Sequence, residues 1–85
     1  MNKNEHEYLI EIAKNNIGNK VFYSKSDKQG NQKEYIFEKY SGGIGIAEPG
    51  KEMKFSNVFA HLKEIKTKKV KKVLLKQVIK QNKLK

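Results

Sequence analysis

Cysteine, tryptophan and arginine are all absent from these 85 residues. Without thiols there is neither a disulfide framework nor a thiolate metal site. Without arginine there is no rigid guanidinium fork to grip phosphates or guanine edges in bidentate fashion. All nineteen basic residues are lysine, a compact charge on a flexible stem that can contact phosphate but reads base sequence less readily. Long hydrophobic runs are also missing. The opening MNKNEHEY is polar and acidic with no apolar core, and no segment approaches the length of a membrane span. The expectation is a cytoplasmic protein.

The most informative absence is of acidic residues from one end. Residues 1–65 hold ten lysines against all nine carboxylates, whereas Lys66–Lys85, KTKKVKKVLLKQVIKQNKLK, holds nine lysines and no acid. A nearly neutral body therefore carries a strongly cationic element, a distribution that points to a polyanionic partner. Eighty-five residues make a single domain near the lower limit at which one core suffices. We read 1–65 as a compact body and 66–85 as a lysine-rich C-terminal helix of the same domain. Isoleucines and aromatics recur in clusters through residues 8–65, which argues against disorder.

The first expected element is a helix over about 4–17. Asn4 and Glu7 have the spacing of a capping box, and Gly18 suits the position just past the end. Tyr8, Leu9, Ile12, Ala13 and Ile17 form its apolar face. Lys20–Ser24 reads as a strand, Ser26–Gln32 as a polar loop turning at Gly30-Asn31, and Lys33–Tyr40 as a second strand. That strand has two faces, Tyr35/Phe37 and Ile36/Tyr40, and alternation does not decide which is buried. Ile44–Ile46 suggests a third strand, Glu48–Lys51 a type II turn with Pro49 and Gly50 at its centre, and Glu52–Phe55 a fourth short strand.

Ser56 suits the cap of a helix over about 57–65 carrying Val58, Phe59, Leu62 and Ile65. A further helix over about 68–83, capped by Thr67, carries Val70, Val73, Leu74 and Val78 on one side, with Leu75 and Ile79 beside them. The expected class is α+β, in the order α-β-β-β-(β)-α-α: a small antiparallel sheet of three or four strands with helices on one face. In element order it is similar to double-stranded-RNA-binding domains. The glycine- and lysine-rich start that those domains give their last helix is not present around Ser56.

On the expected last helix, Lys69, Lys72, Lys76, Lys80 and Lys83 fall in one ridge. The sequence therefore points to nucleic acid, DNA or RNA, held by Lys66, Lys68, Lys69, Lys72, Lys76, Lys80 and Lys83, with low sequence specificity. Lys33 and Lys39, flanking Tyr35 and Phe37, form a second set, and Gln77, Gln81 and Asn82 are the tail side chains suited to a base edge. Tyr23, Tyr35, Phe37 and Tyr40 are expected in the core, with a stacking platform for bases as the alternative. A non-enzymatic interaction module or inhibitor, of the kind mobile elements encode, is the competing reading. It would bind an acidic protein, or a second copy through Val70, Leu74 and Val78. A membrane surface fits less well, since residues 66–85 hold no aromatic anchor.

No catalytic residue, cofactor or metal site is expected. His6 lies among Glu5, Glu7 and Glu11 with no H-E-x-x-H spacing and reads as a surface residue. His61 reads as a helix-edge residue, with a general base near bound RNA as the enzymatic alternative. Gly42-Gly43-Ile44-Gly45 lacks the G-K-[S/T] ending of a phosphate loop and reads as a hairpin turn.

Overall fold

The computed structural model describes residues 3–25, 32–51 and 53–84. The elements in chain order are α1 (Lys3–Asn16), β1 (Lys20–Tyr23), β2 (Lys33–Gly42), β3 (Gly45–Ile46), β4 (Lys54–Phe55), β5 (Val58–Glu64), β6 (Val70–Leu74) and α2 (Leu75–Asn82). An antiparallel sheet runs in the order β1-β2-β5-β6, and β3 and β4 form a separate two-stranded hairpin. The α+β class and the helix at each end stand. The strand count and the C-terminal helix pair are corrected: among the described residues six strands lie in two sheets, and one helix, not two, follows them.

The N-terminal helix follows from its apolar spacing. Leu9, Ile12, Ala13 and Asn16 are buried at i, i+3, i+4 and i+7, while Tyr8 and Ile17 stay exposed. Asn4 lies inside the helix and does not cap it. Asn16 is buried because its amide donates to the Ile12 carbonyl at 2.7 Å. Gly18 leaves the helix with φ +88° and donates its N–H to the Phe37 carbonyl, tying the helix end to the sheet. The loop expected over Ser26–Gln32 lies, up to residue 31, outside the described residues, as does Glu52 at the head of the expected fourth strand. The type II turn is present: Lys51 N–H donates to the Glu48 carbonyl at 3.1 Å, and Gly50 has φ +76°.

The expected helix over 57–65 is strand β5. Val58, Ala60 and Leu62 are buried while Phe59, His61 and Lys63 point the other way, an alternation of period two. Ser56 caps no helix; its N–H donates to the Ile44 carbonyl and its hydroxyl accepts from Ile44 N–H, extending the β3–β4 pairing. The expected helix over 68–83 is half strand. Thr67 sits in the β5–β6 turn, where its hydroxyl donates to the Glu64 carboxylate and starts no helix. Helical periodicity holds only from Leu75 onward, with Leu75 and Val78 fully buried. With these changes the element order no longer matches that of double-stranded-RNA-binding domains.

One core lies between the sheet and both helices. Phe37, Leu62, Leu75, Val21, Val58 and Val78 are its largest fully buried side chains. A β-bulge settles the ambiguity in β2. The register with β5 shifts between Phe37 and Lys39, so the strand changes phase. Tyr35 and Phe37 before the bulge and Tyr40 after it all pack on the same core. Of the aromatics expected inside, Tyr35 and Phe37 are buried, and Tyr23 and Tyr40 are partly buried against the same core.

Candidate functional site

The helices pack on one face of the four-stranded sheet, and no described element covers the other. Strand register orders that open face into rungs. Lys20, Ile36, Lys63 and Val70 form one; Lys39, His61 and Lys72 the next; Ser41, Phe59 and Leu74 the one after. Phe22, 42% exposed, stands at the opposite end, paired with Glu34. The face is amphipathic. Val70 and Leu74 are also exposed, Lys20 Nζ lies 5.7 Å from the Phe22 ring centroid and Lys72 Nζ 4.8 Å from that of Phe59.

Two of the four open-face lysines are neutralised locally, Lys20 by Glu34 at 3.0 Å and Lys63 by Glu38 at 3.8 Å. Lys39 and Lys72 have no ion pair with a described carboxylate and flank His61 from either side. Adjacent strands lie roughly 4.8 Å apart, so their backbones are about 10 Å from each other with the imidazole between. His61 Nε2 and Ser41 Oγ are hydrogen-bonded at 2.7 Å. Partial burial, and then the charges of Lys39 and Lys72, hold His61 below the usual histidine range, against the opposing pull of Glu38.

The β5–β6 turn is the second basic feature. Lys66, Lys68 and Lys69 are exposed there and have no ion pair with a described carboxylate. The turn is closed by bonds from Glu64 N–H to the Lys69 carbonyl at 2.8 Å and from Lys68 N–H to the Glu64 carbonyl at 2.9 Å, with Lys68 left-handed at φ +63°. The Thr67 hydroxyl, followed by Lys33 and Lys71, holds the Glu64 carboxyl below the usual carboxylate range.

The remaining residues singled out in the sequence divide sharply. The single ridge of Lys69, Lys72, Lys76, Lys80 and Lys83 does not exist, because a turn and a strand replace the first half of the expected helix. Lys76 pairs with Glu5 at 2.6 Å and clamps α2 to α1. Lys80 is exposed on α2, Lys83 is the left-handed C-cap at φ +52°, and Lys33 pairs with Glu64 at 3.4 Å. Lys71 reaches to the helix side, 5.5 Å from the Tyr23 ring centroid and 5.7 Å from that of Tyr35. Tyr35 and Phe37 are buried at 4% and 0% exposure and offer no stacking surface. Gln77 is half-buried on α2.

Gln81 and Asn82 are engaged by the backbone of Phe22 and Ser24 at the edge of β1. Asn82 Oδ1 accepts from Phe22 N–H and its Nδ2 donates to the Phe22 carbonyl, both at 2.7 Å. Gln81 accepts from Ser24 N–H at 2.8 Å and donates to the Ser24 carbonyl at 3.0 Å. These amides close the outer edge of β1. The apolar stripe proposed for dimerisation is divided as well, with Val78 in the core and Val70 and Leu74 on the open face.

Sequence reasoning missed Phe22, Phe59, Ser41 and His61 as one surface. The signal for the last two rungs was the alternation Val58-Phe59-Ala60-His61-Leu62-Lys63. Among the described residues no group of three or more metal-ligating side chains comes together, and no helix is long and apolar enough to cross a membrane. No family model matches the chain, nor does any curated protein or solved structure.

Proposed function

We propose that the protein binds nucleic acid through the β5–β6 turn and the open face of the sheet, mainly by phosphate contact and with little base reading. The observation that supports this is how charge is left over. Six of the seven described carboxylates are ion-paired with lysines of the body or of α2, whereas Lys39, Lys66, Lys68, Lys69 and Lys72 face solvent without such a partner. Such cations gain from releasing the counterions of a polyanion. The surface differs from the helical ridge that periodicity suggested, and Lys76 and Lys33 contribute less because carboxylates already hold them.

The test is fluorescence anisotropy of a labelled oligonucleotide with the intact chain at two salt concentrations. It is repeated on Lys66→Gln/Lys68→Gln/Lys69→Gln, whose substitutions lie in an exposed turn. Affinity that falls with salt and weakens in the triple variant supports the reading; no binding by the intact chain ends it. Truncation after Ile65 is unsuitable, since it removes Val73, Leu75 and Val78 from the core.

A second reading, an acidic protein partner, draws on the outer edge of β6. Side-chain amides close the edge of β1, while β6 pairs only with β5 among the described strands. An acidic extended segment would add there as a fifth strand. Lysines on an edge strand also discourage self-pairing, so binding to a peptide and not to an oligonucleotide is the result that would favour this reading.

A further inference from the structure

We infer that the Lys39–His61–Lys72 rung, with Ser41 beside it, seats one phosphodiester of a single-stranded polynucleotide, and that a base next to that phosphate stacks on Phe59. The inference rests on the nucleic-acid reading above and narrows it to one strand and one seat.

The geometry has three independent parts. The bulge between Phe37 and Lys39 brings Glu38 and Lys39 to the open side together, and Lys63 draws Glu38 along the strand at 3.8 Å. Lys39 is left opposite His61 as a cation with no described carboxylate. Lys72 faces it from β6, so two flexible lysine stems flank one imidazole from either side, within reach of a point anion placed between them. Ser41 adds a hydroxyl already oriented by its 2.7 Å bond to His61 Nε2. Phe59 lies one rung away on the same face, half-buried, with the Lys72 ammonium 4.8 Å from its ring centroid. A cation–π contact at an exposed site is weak. When Lys72 turns to a phosphate, it uncovers the ring that a base then takes. Only an unpaired base offers its face in this way.

The groups facing His61 are Glu38, Lys39 and Ser41 from β2, Lys72 from β6 and Lys63 two residues along its own strand. A phosphodiester among them adds a negative charge that favours the imidazolium. Occupancy is therefore visible as an upward movement of the His61 titration.

The experiment follows the His61 ring signals by NMR in the full chain, titrated with pH alone and then with a thymidine hexanucleotide, a duplex of the same length, or inorganic phosphate. Its binding arm compares wild type with Lys39→Gln/Lys72→Gln and with Phe59→Leu, each checked for a native dispersed spectrum. With the hexanucleotide, the ring signals move and the His61 midpoint rises. The lysine pair variant weakens binding about tenfold or more and flattens the slope of log K against log salt by roughly 1.4, at about 0.7 for each lysine on a single strand. Phe59→Leu weakens it about tenfold, as expected for loss of one stacked base. If the hexanucleotide binds with normal salt dependence while His61 does not move and the lysine pair variant binds like wild type, the seat is refuted and the broader reading survives. Equal binding of the duplex with the same His61 response refutes the single-strand assignment. A response to inorganic phosphate but not to the hexanucleotide refutes the polynucleotide, and no binding by wild type ends both proposals.

Discussion

His61 and His6 show how differently the same side chain can be held in one small fold. His61 is bonded to Ser41; its partial burial and then the charges of Lys39 and Lys72 favour its neutral form, against the pull of Glu38. Its native titration lies below that of the unfolded chain, so the unfolded state binds more protons at mildly acid pH. Stability from this residue is complete above about 6.5, the unfolded histidine value, and falls as pH drops from there towards the lowered native value. His61→Gln should flatten that part of a stability–pH curve measured by urea denaturation, and Lys39→Gln should move the His61 midpoint upward by NMR. His6 instead stacks on Phe55, with centroids 4.2 Å apart and planes 12° apart, and its Nδ1 is buried with no hydrogen-bond partner among the described residues. Gly43 permits this. A Cβ there would stand 2.5 Å from the His6 ring, and its φ is +71°. Gly43→Ala should therefore destabilise the protein by about 1–3 kcal/mol in denaturant titration, from left-handed strain and loss of the stack.

At the scale of elements, the last helix works as a strand guard. Edge strands invite pairing with other chains, and α2 prevents this at β1 by presenting Gln81 and Asn82 to the Phe22 and Ser24 backbone. Asn82→Ala should cost about 1 kcal/mol, the net worth of a typical intramolecular hydrogen bond. It should also raise hydrogen exchange at the Phe22 amide while sparing Phe37 in the sheet interior. The N-terminal helix and the Pro49-Gly50 turn were legible because local chemistry determines them, through a 3.6-residue apolar spacing and a fixed φ. Residues 58–65 were not, because they satisfy two periods together. Val58, Phe59, Leu62 and Ile65 fit a helix face, while Val58, Ala60 and Leu62 fit a strand face, and pairing with β2 and β6 decides between them. The lysine surplus was equally plain in the sequence, but its geometry depended on that choice. A strand sends Lys71 and Lys72 to opposite faces where a helix would have kept Lys72 in line with Lys76. The bulge in β2 has no sequence signature, so the placement of Lys39 beside His61 emerged only with the fold.

At the scale of the whole molecule, the two faces of the sheet divide the work. One face carries both helices and all the large buried side chains. The other is left with an exposed Phe22 and a half-buried Phe59, a serine–histidine pair and lysines lacking described counter-charges, and the β5–β6 turn extends it with three more. A polyanion would meet this surface without disturbing the core. Substituting Lys39, Lys66, Lys68, Lys69 and Lys72 should therefore change binding far more than stability. The measurement that bears most directly on the account is the slope of log K against log salt for a single-stranded oligonucleotide, for wild type and for the variant with all five lysines changed to glutamine. Five contacts predict a slope of roughly −3.5 for wild type, at about 0.7 per contact, and a slope near zero with weak residual binding for the variant. Wild-type binding that does not respond to salt, or a five-lysine variant with an unchanged slope, would contradict it.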